Sequence, residues 1–312
     1  MTHIPLGPGG EFDRIRAIWR RLGEQLSPAG DDCALVSVGG IPLAISTDAT
    51  VEGTHFRAGW LSPAELGWRA ASAALSDLAA VAATPAGVLV SLGVSAEWPE
   101  EMVAELMAGV GEAAAAVGAT VWGGDLVSSE RLVIDVTVLG RADGAVRRRG
   151  AAAGDGLWVT GELGAPAAAL AAWSAGVEPD GDARERFARP RPRIAEARWL
   201  QERGATAMID LSDGLLGDAG HLAAASDVRA VIERELVPVH PAAGRPERAL
   251  AGGEEYELLA ALPPNFGPDD AVAFAEAHGL PLTRVGRVES GSGVALLAGG
   301  VPAEPPAGFQ QF

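Results

Sequence analysis

The chain holds 312 residues, which favours two domains, because a single domain most often contains about 100 to 150 residues. Apolar residues make up 48% of the chain and charged residues 21%, the balance of a folded globular protein. The formal net charge of −17 argues against nucleic acid and against anionic membranes as partners. No apolar run could cross a bilayer and residues 1–16 lack the features of a secretory signal, so we expect a cytoplasmic protein.

Two residue types limit the possible chemistry. All 24 basic residues other than histidine are arginines. A phosphate-binding site or a Schiff base that depends on lysine is therefore excluded. Cys33 is the only cysteine, which excludes an intrachain disulfide and a cysteine-rich zinc site. We expect Cys33 to be a small core residue.

The first half of the chain predicts alternating helices and strands. Residues 11–22 have the apolar spacing of an amphipathic helix, and residues 41–46, 88–94 and 132–139 have the character of strands. Two alanine-rich helices lie between these strands, and the first begins at Ser62 with the sequence of a capping box.

The second half repeats this alternation after an arginine run and a glycine-containing turn near residue 150. We therefore predict an N-terminal domain at 1–145 and a C-terminal domain at 146–312. Strands are predicted at 157–160, 207–211, 230–233, 257–262 and 284–288, and helices near 165–175, 190–203, 213–226 and 269–278. The pattern indicates two mixed α+β domains, with the pairing of the strands left open.

Several aspartates lie at the ends of apolar strands or within alanine-rich helices, next to glycine, serine or threonine. They occur in short motifs at 30–32 (GDD), 46–48 (STD), 76–77 (SD), 123–125 (GGD) and 210–214 (DLSDG). Oxygen-rich sets of this kind are typical of Mg²⁺ sites. For any single motif the alternative is an aspartate that accepts backbone hydrogen bonds at a turn, but the recurrence favours metal binding.

Asp77 is the clearest of these aspartates. Its helical neighbours three and four residues away are Ala73, Ala74, Ala80 and Val81, which indicates a buried face. An isolated buried charge is strongly unfavourable, so this carboxylate must be paired, capped or bound to metal.

A phosphate site would have to be built without the usual loops, since neither GxxxxGK[ST] nor the glycine-rich loop and lysine of protein kinases occurs. Several Mg²⁺ ions that bridge carboxylates and phosphate oxygens would neutralise the charge of a nucleotide. Arg148 could add a phosphate contact, although arginine runs are more often solvated.

Three other polar segments allow two interpretations each. His55 follows the 46–48 motif and could contact a ligand or be structural. Ser212 has no nucleophile motif around it and could cap the next helix or contact phosphate. The glycine pair before Glu254 and Glu255 could belong to a ligand-binding loop or to a turn with a solvated rim.

Taken in order, these motifs resemble thiamine-monophosphate kinase, of the superfamily that includes aminoimidazole ribonucleotide synthetase and selenophosphate synthetase. The resemblance spans nearly the whole chain, and the ordered set is far more specific than any one motif. Its segments are GEF at 10–12, GDDCA at 30–34, STDATVEGTHF at 46–56, LSDLAA at 75–80, GGD at 123–125, RRGAAAGD at 148–155, RPRPRI at 189–194, IDLSDGL at 209–215 and GGEEYELL at 252–259.

The resemblance implies a role for each matching residue. The implied catalytic aspartates are Asp32, Asp48, Asp77, Asp125 and Asp210. The implied Mg²⁺ ligands are Asp32, Ser46, Thr47, Asp48, Asp77, Asp125, Asp210 and Asp213. The implied ATP contacts are Gly124, Asp125, Arg148 and Ser212, and the implied contacts to thiamine monophosphate are His55, Glu254 and Phe309.

The resemblance also implies an α+β (α/β mixed), two-domain aminoimidazole ribonucleotide synthetase-like fold. Its N-terminal domain would bind ATP and Mg²⁺ and form a homodimer through its sheet, and its C-terminal domain would close the site. The implied reaction is direct, in-line transfer of the ATP γ-phosphoryl group to thiamine monophosphate, with several Mg²⁺ ions. Leu126, Glu255 and Ala83 depart from the family pattern, where threonine, aspartate and glycine are usual.

Two alternatives stay open. Another ATP-dependent enzyme of the superfamily would keep the fold and change the substrate, although the missing lysine and the lack of a terminal reactive cysteine count against the hydrogenase-maturation and selenophosphate types. A non-catalytic protein that binds divalent cations would need the carboxylates, but neither Arg148 nor an aromatic residue over the substrate.

Overall fold

The computed structural model of the chain describes residues 3–7, 9–27 and 29–306. The first half contains α1 (Gly10–Leu22), β1 (Ala34–Val38), β2 (Ile41–Val51), α2 (Pro63–Ala80), β3 (Thr84–Val94), α3 (Glu100–Ala116), β4 (Thr120–Ser128) and β5 (Val133–Arg141). The second half contains β6 (Gly156–Thr160), α4 (Ala165–Ser174), α5 (Gly181–Ala188), α6 (Ile194–Glu202), β7 (Ala207–Asp210), α7 (Leu215–Ser226), β8 (Arg229–Glu233), α8 (Pro246–Ala251), β9 (Leu258–Leu262), α9 (Pro268–His278), β10 (Leu282–Glu289), β11 (Gly293–Ala298) and β12 (Val301–Ala303). The expectation of a mixed α/β fold is confirmed.

The strands form two sheets, one from each half. The first has the order β1-β2-β5-β3-β4, in which only the β3–β4 pair is parallel. Helix α2 packs on β2 and β5, and α3 packs on α2 and β4. Because side chains alternate along a strand, β2 directs Ser46 and Asp48 towards α2 and exposes Thr47 on the other face.

The second sheet has the order β12-β11-β8-β10-β6-β9-β7 and packs against helices of its own half. Helix α2 also contacts α5, α6 and β7, so it belongs to the packing of both halves. A single apolar cluster accordingly runs from Leu75 of α2 to Leu258 of β9.

The sequence of α2 explains why this helix forms and how it packs. Ser62 accepts a hydrogen bond from the backbone N–H of Glu65, whose carboxylate accepts one in return, which satisfies both ends of a capping box. Gly67 lies directly against α3, since a Cβ there would be 1.9 Å from the Leu106 carbonyl oxygen. The two helices therefore cross in near backbone contact.

The structure corrects several predicted elements. Strand β4, which was not predicted, contains residues 123–125. Its pairing with β3 has a register shift that leaves Trp122 without a partner residue on β3. The helix predicted from residue 190 begins at Ile194, because Pro190 and Pro192 disrupt the preceding segment. Strand β1, helices α5 and α8, and strands β11 and β12 were not predicted at all.

The chain passes from the first sheet to the second between Arg141 and Gly156. The proposed boundary at 145/146 falls in this interval and remains a prediction. Among the helices described, none combines the length and the apolar character needed to span a membrane.

Candidate active site

A cavity of about 720 Å³ is lined by residues of both halves of the chain. Its walls come from one face of α1, from β2 and the loop after it, from α2, and from the segments around residues 210 and 254. Most of the residues that the sequence indicated as functional lie here. They are Asp32, Ser46, Thr47, Asp48, His55, Asp77, Arg148, Asp210, Ser212, Asp213 and Glu254.

Three aspartates from separate elements meet in this cavity. Asp32 precedes β1, Asp77 lies on α2 and Asp210 ends β7, and one carboxylate oxygen from each lies within 4.8 Å of the others. The hydroxyl of Ser76 donates to Asp210 (2.6 Å) and that of Ser46 donates to Asp77 (2.6 Å). These two hydrogen bonds orient the carboxylates, which still repel one another.

The convergence of these carboxylates changes their proton affinity. Burial and the charge of Asp32 raise the pKa of Asp210 to about 7. Burial, followed by the charges of Asp210 and Asp32, raises the pKa of Asp77 well above its usual range. In addition, Oδ2 of Asp32 is buried without a hydrogen-bond partner among the described residues. A set of oxygen ligands that repel one another and include an unpaired atom fits a hard divalent cation such as Mg²⁺.

Arg148 is part of this cluster and not of a solvated surface. Its guanidinium donates to Asp32 at 2.5 Å and its backbone N–H donates to Asp31 at 2.9 Å, and its side chain is only 13% exposed. The arginine therefore offsets part of the negative charge in the cavity. Its contact with a nucleotide phosphate remains a prediction.

The three polar residues of β2 point in two directions. Ser46 and Asp48 face the aspartate cluster, whereas Thr47 lies on the other face and donates to Asp135 at 2.8 Å. Burial, and next the charge of Glu254, raise the pKa of Asp48. Thr47 also lines the cavity, but its hydroxyl is directed to Asp135.

A second region of the cavity is organised around Glu254. The carboxylate of Glu254 pairs with the buried guanidinium of Arg69 and accepts a hydrogen bond from the Tyr256 hydroxyl at 2.6 Å. Glu254 and Tyr256 have φ angles of 70° and 53°, a conformation that is unfavourable for side chains other than glycine. His55 also lines this cavity, and its Nδ1 accepts the backbone N–H of Val51 at 3.0 Å.

Arg69 is a site residue that the sequence interpretation missed. It lies on α2 with Ala73 and Asp77 at intervals of four residues, and all three line the cavity. The helical spacing from Asp77 could have identified it, because residues four apart share one face of a helix.

The structure does not bring Gly124 and Asp125 to the aspartate cluster within one chain. They lie on β4, the edge strand, three strands away from β2, and line a separate surface cavity of about 460 Å³. Gly124 has a structural role there, since a Cβ would lie 1.7 Å from the Val90 carbonyl oxygen. Phe309 lies outside the described residues.

The DLSDG motif leads into α7 at one end of the cavity. Ser212 does not cap this helix, because the carboxylate of Asp218 accepts the backbone N–H groups of Asp213 and Gly214 instead. The hydroxyl of Ser212 is therefore free to contact a ligand. Burial, followed by the charge of Arg148, lowers the pKa of the adjacent His221 to about 4.

Comparison with known proteins agrees with this architecture. Residues 30–142 match the model of the AIR synthase related protein, N-terminal domain, and residues 152–298 match that of its C-terminal domain. Hydrogenase maturation protein HypE in complex with ATP shares the fold at 19% identity, with a TM-score of 0.72. The chain therefore belongs to the AIR synthase related family.

More similar relatives narrow the assignment. Thiamine-monophosphate kinase of Mycobacterium tuberculosis is 38% identical over 267 residues, which cover 82% of this chain and 80% of the relative. The Escherichia coli enzyme of that name is 36% identical over 318 residues, which cover 93% of this chain and 92% of that enzyme. A solved complex of AaThiL with AMPPCP and TMP superposes with a TM-score of 0.84 at 33% identity, over 95% of each chain. Within its superfamily, the chain belongs to the thiamine-monophosphate kinases.

Proposed function

We propose that this protein transfers the γ-phosphoryl group of ATP to thiamine monophosphate and so forms thiamine diphosphate. The observation that carries the proposal is the meeting of Asp32, Asp77 and Asp210 in a cavity that both halves of the chain line. The relatives that carry the name of this kinase, and the AMPPCP and TMP bound to AaThiL, support the choice of substrates.

The aspartate cluster would hold the metal ions. Asp32, Asp77 and Asp210 would bind Mg²⁺ directly, with Asp48 beside them on β2 and Asp213 at the far end. Bound Mg²⁺ would neutralise the phosphate charges of both substrates. Arg148 and Ser212 would position the ATP phosphates.

We propose in-line transfer without a general base in the protein. A phosphate monoester loses its second proton with a pKa of about 6, so the acceptor is already mostly dianionic at neutral pH. What the site must supply is alignment of donor and acceptor and compensation of their charge. His55 and Glu254 would hold the thiamine part of the acceptor, and Phe309 remains a predicted contact.

We further propose a homodimer that forms through the first sheet. The outer face of the first sheet near β4 exposes Leu89, Trp122 and Val127, each at 39% or more, and such a patch is unusual for a monomer. A second copy on this surface would cover the apolar side chains and could bring its own Asp125 to the cavity, which would explain why this residue lies apart within one chain.

Replacing Val127, which is 54% exposed, with aspartate places a charge in the proposed interface and should give a monomer in light scattering coupled to gel filtration. Replacing Val177, which is 60% exposed on the second half, in the same way is the matched control and should leave the dimer intact. A monomeric wild-type protein would contradict the dimer.

The function is tested by incubating the protein with ATP, Mg²⁺ and thiamine monophosphate and following thiamine diphosphate by chromatography. We expect product from the wild type and none from Asp48→Ala or in the presence of EDTA. Product formed without Mg²⁺ would contradict the metal-based site. If folded protein binds ATP and forms no thiamine diphosphate, another reaction of the superfamily is favoured, and Mg²⁺ binding without any ATP binding favours a cation-binding protein.

A further inference from the structure

Trp60 forms an aromatic surface on the cavity wall. Its ring is partly exposed and lines the cavity together with Phe56 and Leu170. Behind it lies Trp173 of α4, with ring centroids 4.9 Å apart and an interplanar angle of only 9°. Trp173 in turn packs edge-on against the buried Phe187.

This arrangement makes Trp60 a rigid surface. The residue comes from the loop after β2 in the first half, whereas the rings that support it come from the second half. A ring already held by parallel stacking loses little conformational freedom when a ligand stacks on it. The exposed Arg57 places its guanidinium carbon 5.7 Å from the Trp60 centroid, so this ring already has a cation near it.

The surroundings of Trp60 indicate which ligand part it would accept. The supporting ring of Phe187 is covered by the guanidinium of Arg69 at 3.7 Å, and Arg69 is the partner of Glu254. The wall therefore runs from an apolar ring to a carboxylate, which matches a flat organic cation that also carries hydrogen-bond donors.

A separate apolar surface lines the cavity at α1, where Phe12 packs on His221 at 4.3 Å next to Asp213. Two heteroaromatic groups, one from each substrate, can therefore occupy different places. The α1 surface adjoins Ser212 and Asp213, and the Trp60 surface adjoins the Arg69–Glu254 pair.

We propose that Trp60 stacks on the cationic heteroaromatic part of the acceptor and determines its specificity. The proposal rests on the function proposed above. The thiazolium ring of thiamine is a permanent cation and its aminopyrimidine carries a donor, so the acceptor supplies both features that this wall recognises.

The experiment compares Trp60→Ala, Trp60→Leu and Trp60→Phe with the wild type. Steady-state KM values for thiamine monophosphate and for ATP are measured separately, each with the other substrate saturating. We expect Trp60→Ala to raise KM for thiamine monophosphate about tenfold, the factor that corresponds to about 1.4 kcal/mol of lost stacking. KM for ATP and kcat should stay within about twofold of the wild type, because Trp60 is not among the residues proposed to hold Mg²⁺ or the ATP phosphates.

The other variants separate stacking from simple apolar contact and from misfolding. Trp60→Phe keeps an aromatic face and should raise KM for the acceptor less than Trp60→Leu does. Trp98→Ala removes a partly buried tryptophan outside the cavity and should leave both KM values unchanged.

Three results would overturn the proposal: a Trp60→Ala enzyme with unchanged KM for thiamine monophosphate, equal effects of Leu and Phe, or an increase in KM for ATP instead. Failure of the function itself is seen separately, as a wild type that forms no thiamine diphosphate. In that case calorimetry of thiamine binding to the wild type and to Trp60→Ala decides the proposal. Weaker binding to Trp60→Ala would support it, and equal binding to both proteins, or no binding to the wild type, would overturn it.

Discussion

Replacing Asp210 with asparagine should stabilise the metal-free protein at alkaline pH. Asp210 is 4% exposed, and burial together with Asp32 raises its pKa from 3.8 to about 7. Between these two values the folded protein keeps a proton that the unfolded chain has released, so the free energy of unfolding falls as the pH rises. At 1.36 kcal/mol per pKa unit, an ionised Asp210 costs the folded state about 4 kcal/mol at about pH 8.

The asparagine variant keeps the packing and removes the charge. Its side-chain oxygen can still accept the hydrogen bond from Ser76 (2.6 Å). Burying the amide that replaces the carboxylate has its own desolvation cost of about 1 to 3 kcal/mol, so we expect a net gain of about 2 kcal/mol, half the full cost. In a chain of this length that gain corresponds to a melting temperature about 4 °C higher.

The assay is thermal denaturation in EDTA at about pH 5.5 and about pH 8, repeated with Mg²⁺. The wild type should lose stability between the two pH values, and Asp210→Asn should lose less. Mg²⁺ should stabilise the wild type most at the higher pH. It should stabilise the variant much less, because the neutral asparagine side chain binds Mg²⁺ weakly. Replacing Asp143, whose side chain is 62% exposed, with asparagine is the matched control and should behave as the wild type does.

An Asp210→Asn protein that melts below the wild type in EDTA at the higher pH would show that ionised Asp210 does not destabilise the folded state. An equal stabilisation of both proteins by Mg²⁺ would show that Asp210 is not a ligand.

The remaining predictions concern α2. Gly67→Ala should destabilise the protein by more than about 2 kcal/mol, because the added Cβ would lie 1.9 Å from the Leu106 carbonyl oxygen. Urea denaturation measures this loss of stability, and a small effect would mean that α3 moves away easily. Glu65→Ala removes both the capping box and the paired contacts to Arg184 at 2.7 and 2.9 Å, so the melting temperature should fall by about 4 °C with kcat unchanged. Arg69→Met leaves the carboxylate of Glu254, whose side chain is 23% exposed, without its cation and should cost about 2 kcal/mol in urea denaturation, with part of that loss recovered by Arg69→Lys.

Helices and strands with regular apolar spacing could be predicted because their pattern is local. Helix α2 begins where its capping box predicts, and α9 and α4 lie within a few residues of their expected positions. Strand β4 could not be predicted in this way, because the glycine pair at 123–124 has the character of a turn and only pairing with β3 makes it extended.

The candidate site shows the same limit. Aspartate motifs and family resemblance indicated Asp32, Asp77 and Asp210, but their separation in sequence gives no distance between them, and only packing of α2 on both halves brings them together. Conversely, nothing next to Trp60 in the sequence shows that it faces the cavity, since Trp173, which supports it, lies more than a hundred positions away. Arg69 could be identified only through its helical spacing from Asp77.

The most direct test of the central claim is a single turnover in which ATP labelled in its γ-phosphate is mixed with excess protein, Mg²⁺ and thiamine monophosphate. We expect the label to appear in the terminal phosphate of thiamine diphosphate with the wild type, without accumulation of labelled protein. Asp210→Asn should remain folded and transfer the label much more slowly. Transfer at the wild-type rate by Asp210→Asn, or label that passes through a covalent bond to the protein, would contradict this claim.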